Sequence, residues 1–200
     1  MRTLFFLIII MIAFSCQNNK KENIAIEKNN EIEKIVECVI LQDSLNVFKN
    51  DSTSIPISKE LKKLKVYPQN LNAKNIPPKP VNGIYLNDLF YYKFDVPFFP
   101  EKDSLKILAQ NDILKTYIIN SPITKRILLT TFEEQKKKYK NNLDASFLFL
   151  TIPIFSADNN KAYLEINEKC FGNCGWGKAI YLEKENGKWK IIYKRELWVG

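Results

Sequence analysis

A chain of 200 residues with 46% apolar content, six glycines and nine prolines has the composition of one folded domain of ordinary size, not of a disordered polymer. Its formal charge of +8 comes from lysines scattered along the chain, with three arginines in all. Nucleic-acid binders concentrate charge on one face and favour arginine, so no nucleic-acid partner is expected. Histidine is absent, which closes Ser-His-Asp and Cys-His catalysis and removes the commonest transition-metal ligand. A general base would have to be a carboxylate, a depressed lysine or a thiolate.

The chain opens MRTLFFLIIIMIAFSCQNN, with one arginine before an apolar run from Leu4 to Phe14. A helix of that length rises about 16 Å, roughly half a bilayer core, so the run is too short to span and suits the apolar region of a secretory signal. It ends at Ala13-Phe14-Ser15-Cys16, with small residues three and one positions before the cysteine. This resembles the lipobox of bacterial lipoproteins, Phe14 being bulkier than the usual occupant of its position. The resemblance implies a signal peptide over 1–15, a diacylglycerol thioether on Cys16, membrane lipid as a partner and residence in the bacterial cell envelope. Two or three acyl chains anchor stably where one is reversible. Gln17 is not the aspartate that retains some lipoproteins in the inner membrane, so the analogy implies the outer membrane, with the side faced left open. Residues 16–30 are polar and without a periodic apolar face, and read as a flexible tether.

Residues 31–200 read as a single α+β domain, with N-terminal helices packed on a C-terminal antiparallel β-meander. Ile32, Ile35, Val36, Val39 and Ile40 make the stripe of an amphipathic helix, with Cys38 off that stripe. The stretch 51–81, rich in Asn, Pro and Lys, predicts a long irregular connection. In GIYLNDLFYYKFDVPFFP, aromatics point to a strand or buried edge ended by Pro97 and Pro100. Tyr85, Phe90, Tyr91 and Tyr92 are candidates for a ligand or partner surface, with aromatic core as the competing reading. Helical spacing follows at Leu105, Leu108, Ile113 and Tyr117, and KRILLT is a short strand. Thr131 and Glu134 are spaced as a capping box ahead of a basic helix. Its lysines, Lys136, Lys137, Lys138 and Lys140, form either a solvated face or one attracted to anionic lipid headgroups.

The last third holds four strand-like runs: SFLFLTIPIF, KAYLEINEK, KAIYLEKE and KWKIIYKRELWV. Asn186-Gly187 between the last two is a two-residue hairpin signal, since both positions accept positive φ. Alternation puts Trp189, Ile191 and Tyr193 on one face, giving a meander with one buried face. Between strands lie Cys170 and Cys174. Their spacing and position lack the helix N-terminus that activates redox thiols, and zinc would need further ligands. In an exporting compartment a disulfide is the expected state, worth about 2 kcal/mol for so short a loop, with thiol chemistry and metal binding as alternatives. Gly172, Gly175 and Gly177 would supply backbone freedom beside the bridge.

Phe155-Ser156-Ala157-Asp158, then Cys170 to Gly177, then Asn186-Gly187-Lys188-Trp189 resemble a C-terminal pattern of uncharacterised exported bacterial proteins. The chain departs from that pattern at Phe171 and Asn173. The resemblance implies a domain type and export, not an activity.

These features together predict a non-enzymatic envelope lipoprotein that binds an unknown protein or small ligand, with no catalytic residue, metal site or cofactor assigned. A carboxylate hydrolase is the alternative, with Asp95, Asp158, Glu165 and Glu168 as its candidates, Glu165 and Asn167 otherwise lying on a solvated strand face. An immunity or inhibitor protein against a toxin is the third reading, from size and tethering.

Overall fold

A computed structural model describes residues 29–68, 80, 83–90, 97–112, 116–141, 146–170 and 174–200. Cys16 with the signal and the tether up to residue 28, and also Tyr91, Tyr92, Asp95, Ile113 and Gly172, lie outside the described residues, whereas Asn29 and Asn30, read as the end of the tether, open the first helix.

The first helix, α1 over 29–42, forms on the expected stripe, and Ile32, Ile35, Val36, Val39 and Ile40 are all fully buried. Cys38 is not on a solvent face but buried beside them, its thiol donating to the Trp189 carbonyl at 3.3 Å. The stretch expected to be irregular carries three short strands, β1 (Ile57–Ser58), β2 (Glu60–Leu61) and β3 (Lys65–Tyr67). Such brief strands have no periodicity of their own; their partners across the fold define them. The aromatic segment is strand only over β4 (Gly83–Tyr85) and then turns into helix α2 (Leu86–Phe90). Helix α3 (Ser104–Ala109) buries Ile107 and leaves Leu105 81% exposed, so the predicted Leu105 face is not the one the core uses. Tyr117 belongs to strand β5 (Tyr117–Ile118), and β6 (Leu129–Thr130) follows.

Helix α4 (Phe132–Lys140) starts on the capping box: the Glu134 amide donates to the Thr131 hydroxyl at 3.0 Å, and the Thr131 amide to the Glu134 carboxylate at 2.9 Å. The remaining strands are β7 (Phe147–Leu150), β8 (Ile154–Phe155), β9 (Lys161–Lys169), β10 (Gly175–Glu185) and β11 (Lys188–Val199). Asn186 and Gly187 close the last hairpin at φ 50° and 76°. Among the described residues no helix is long and apolar enough to cross a membrane.

One large sheet runs β11-β10-β9-β7-β1-β6, with β8 also paired to β9. The β7 to β11 pairings are antiparallel, but β1 pairs parallel with both β6 and β7, so the sheet is mixed and the class is α+β. Both faces are covered. Ala162, Leu164, Ile166, Ile180 and Leu182 share a core cluster with α1, whereas Tyr163, Ala179 and Tyr181, the intervening residues, share a second cluster with β3, β4, α2 and α3. The helices therefore do not form one N-terminal layer, and the meander does not have one buried face.

A bulge makes a further correction. Tyr181 pairs with Tyr193 and Leu182 with Ile191, so Ile192 is the extra residue. Trp189 and Ile191 pack on the α1 side, and Tyr193 crosses to the other. On the α1 side, charge ties helix to sheet. Asp43 meets Lys178 at 3.0 Å and Lys194 at 2.8 Å, and Glu31 meets Lys184 at 2.8 Å while accepting from the Trp189 indole at 2.8 Å.

Candidate ligand recess

The sheet face away from α1 changes character along its strands. One row is aromatic: Tyr163, Tyr181 and Tyr193 lie side by side, with ring centroids 5.0 and 5.6 Å apart. Two residues further along β9, the register aligns Glu165, Ala179 and Arg195, and beyond them Phe149, Asn167, Gly177 and Trp198. Polarity therefore rises toward one end of a face that is otherwise core.

That end is shaped by small residues on β10. A methyl group on Gly177 would lie 2.0 Å from Trp198 Nε1 and 2.8 Å from Asn167 Oδ1. Glycine lets the Trp198 indole lie across β10 and donate to the Asn167 side chain at 3.1 Å. The role foreseen for Gly177 was backbone freedom; its role in the fold is space. Gly175, at φ 126°, does use the conformation only glycine takes readily.

Glu165 and Asn167 are 6% and 7% exposed, so they are not a solvated strand face. The Tyr163 hydroxyl donates to Glu165 at 3.0 Å, and the Glu165 amide donates to the Thr151 hydroxyl at 2.8 Å. Burial first, and then the Glu165 charge, push the Tyr163 hydroxyl well above the ordinary phenol range, against an opposite pull from Arg195. Over these residues lies a recess of about 300 Å³, lined by Lys62, Lys63, Leu64, Pro80, Gly83, Phe149, Thr151, Glu165, Asn167 and Trp198. Polar groups converging among aromatic walls are the usual make-up of a small-molecule site.

Lys62 borders a second hollow. Its ammonium lies 4.2 Å from the centroid of Phe132 and 4.9 Å from that of Phe149. Phe132, Gln135, Lys136, Tyr139, Phe147 and Lys169 line an adjoining apolar pocket of about 420 Å³. Burial first, then the Lys169 charge, lower the proton affinity of Lys62. Gln135 is 1% exposed and donates to the Thr130 hydroxyl at 2.8 Å, while its side-chain oxygen has no hydrogen-bond partner among the described residues. The wall of this pocket is fixed by the cysteine loop. Cys170 and Cys174 form a disulfide, and the Tyr139 hydroxyl donates to the Cys170 carbonyl, holding α4 against the β9–β10 connection.

The foreseen site residues are dispersed. Phe90 is 3% exposed, within the second core cluster, and is not available as a surface; Tyr85 is half-buried, its ring 6.5 Å from that of Tyr67. Asp158 accepts from the Ser156 hydroxyl at 2.6 Å and from the Asn160 amide at 3.1 Å, closing the β8–β9 turn. These bonds, the Ser156 bond first, hold its carboxyl below the usual range. Glu168 accepts from Ser146 at 2.8 Å. Among the described carboxylate candidates for catalysis, Asp158, Glu165 and Glu168, only Glu165 lines the recess. Among the described residues no group of three or more Cys, Asp and Glu is arranged to hold a metal ion. Lys62, Thr151 and Trp198 were not foreseen as site residues, and Gly177 was foreseen only as a turn glycine. The signal for them was faint: polar residues at 165 and 167 inside an otherwise apolar strand.

No family model, curated protein or solved structure matches this chain.

Proposed function

We propose that the protein is a bacterial envelope lipoprotein, anchored by acyl chains on Cys16, whose domain binds a small ligand or partner through the recess between β3–β4 and the polar end of the sheet. The observation that supports binding is the recess itself. Its described lining sets Lys62, Thr151, Asn167 and the Trp198 indole among aromatic walls, with one carboxylate, Glu165. Hydrolysis by paired carboxylates asks for two carboxyl groups flanking one bond. Asp158 and Glu168 are engaged in their own hydrogen bonds away from that lining, so binding is the reading the geometry favours.

Peptide mass spectrometry on protein from native membranes tests the anchor. A diacylglycerol thioether on Cys16 is expected, and a chain that retains Met1 with an unmodified Cys16 would sink it. A fragment screen by NMR on the full chain tests the binding half, reading the Trp198 indole signal. Saturable shifts of that signal are expected; a screen in which no fragment of any charge moves it removes the recess from consideration.

A further inference from the structure

Cations on the two sides of this molecule have different company. On the α1 side Lys34, Lys178, Lys184 and Lys194 all meet Glu31 or Asp43 at 2.8 to 3.0 Å. Around the recess and its neighbouring pocket, Lys62, Lys63, Lys136 and Lys169 have no carboxylate within ion-pair distance among the described residues. Glu165 lines the recess and accepts from Tyr163, while burial and the Lys169 charge lower the proton affinity of Lys62. Among the described residues, this half-buried ammonium, packed against two phenyl rings and repelled by the Lys169 charge, has no anionic partner.

We propose that this site takes a small amphiphilic anion, its carboxylate, sulfonate or phosphate head between Lys62 and Lys169 and its apolar body in the pocket walled by Phe132, Tyr139 and Phe147. The inference rests on the binding reading above and names the ligand class for it. Three observations carry it. Lys62 stands at the junction, lining the polar recess while its ammonium contacts Phe132 of the apolar pocket. Lys169 and Lys136 line the apolar pocket, and Lys169 also lies 5.7 Å from the Tyr139 ring centroid. The pocket volume of about 420 Å³ suits a two-ring aromatic or a medium acyl chain and falls in the range of ligand sites. An anionic head would relieve the repulsion between Lys62 and Lys169 and gain charge-assisted hydrogen bonds in a partly desolvated place. A neutral body of the same shape would gain only the apolar contact.

The test is calorimetric titration of the full chain in a neutral detergent, at low salt, with blanks into detergent alone. The probes are 2-naphthoate and its neutral analogue 2-naphthalenemethanol. Saturable naphthoate binding is expected, with the neutral analogue about tenfold weaker. Lys62→Gln is expected to weaken naphthoate about tenfold and leave the neutral probe unchanged, whereas Lys188→Gln, on the far hairpin, changes neither. Displacement of naphthoate by soluble dihexanoyl phosphatidylglycerol would identify a lipid headgroup as the source, and displacement by decanoate alone would identify a free acid. Equal affinity for the charged and neutral probes, or naphthoate binding insensitive to Lys62→Gln with an unchanged melting temperature, overturns the anion assignment while leaving the recess as a binding site. Absence of any saturable probe binding, with Trp198 silent to all fragments, overturns both.

Discussion

Gly177 illustrates how one side chain's absence shapes the site. The indole of Trp198 occupies the volume a Cβ would need, and its bond to Asn167 follows from that placement. Gly177→Ala is expected to displace the indole, break that bond and cost about 1–3 kcal/mol, as overpacking does. Thermal melting with tryptophan emission would register it; an unchanged melt and spectrum would mean that the indole has an alternative seat. Cys38 makes the opposite case, a reactive group type rendered inert. Burial pushes its thiol up to about 11, against a smaller opposing contribution from a hydrogen bond with the Ile191 backbone. At pH 8 the native protein should resist iodoacetamide at Cys38 for hours and label promptly in urea. Native labelling at the rate of a free thiol would contradict the burial of this face of α1.

Elements are held mainly where they meet. The β9–β10 connection is closed by the Cys170–Cys174 disulfide and latched to α4 by the Tyr139 hydroxyl on the Cys170 carbonyl. Replacing both cysteines by serine should lower stability by about 2 kcal/mol in the chain-entropy account. Urea denaturation of the double variant measures it. An unaltered midpoint would show that the β9–β10 ladder and the Tyr139 latch hold the loop without the bridge. The bulge at Ile192 works at the same scale. It lets β11 contribute Trp189 and Ile191 to one core cluster and place Tyr193 beside Tyr181 on the other. A single extra residue thus serves both faces of the sheet.

For the whole molecule, the electrostatic division between the two faces has a consequence for acid stability. Burial acts to raise the Glu31 carboxyl, but hydrogen bonds from Lys184, Lys34 and Trp189 and the Lys184 charge outweigh it and bring the group from 4.5 down to about 2. A carboxyl depressed in the folded state stabilises fully above its unfolded value and loses that contribution as pH falls through the folded one. Stability should therefore decline between pH 4.5 and about 2. Its side chain is 14% exposed, so Glu31→Gln should cost on the order of 2 kcal/mol at pH 7 and almost nothing near pH 2. Urea melts of wild type and variant at pH 7, 4 and 2.5 decide this, and parallel curves across that range would refute it.

Features that depend on neighbours in the chain were legible from the residues alone. The α1 stripe, the Thr131–Glu134 cap, the Asn186-Gly187 turn and the paired cysteines each require only residues a few positions apart. Local geometry suffices for them because their partners are always within reach. The strands β1 and β2 were not legible, since two residues carry no period and exist only through pairing. Glu165 and Asn167 misled for a related reason. Alternation says that polar residues face away from the core, which holds only for a sheet covered on one side. Here β3, β4, α2 and α3 fold over the second face, so its polar residues became the lining of a recess instead of a surface. Class, cap, hairpin and staple follow from short-range chemistry; the site follows from which distant segments close over the sheet, and no local pattern encodes that.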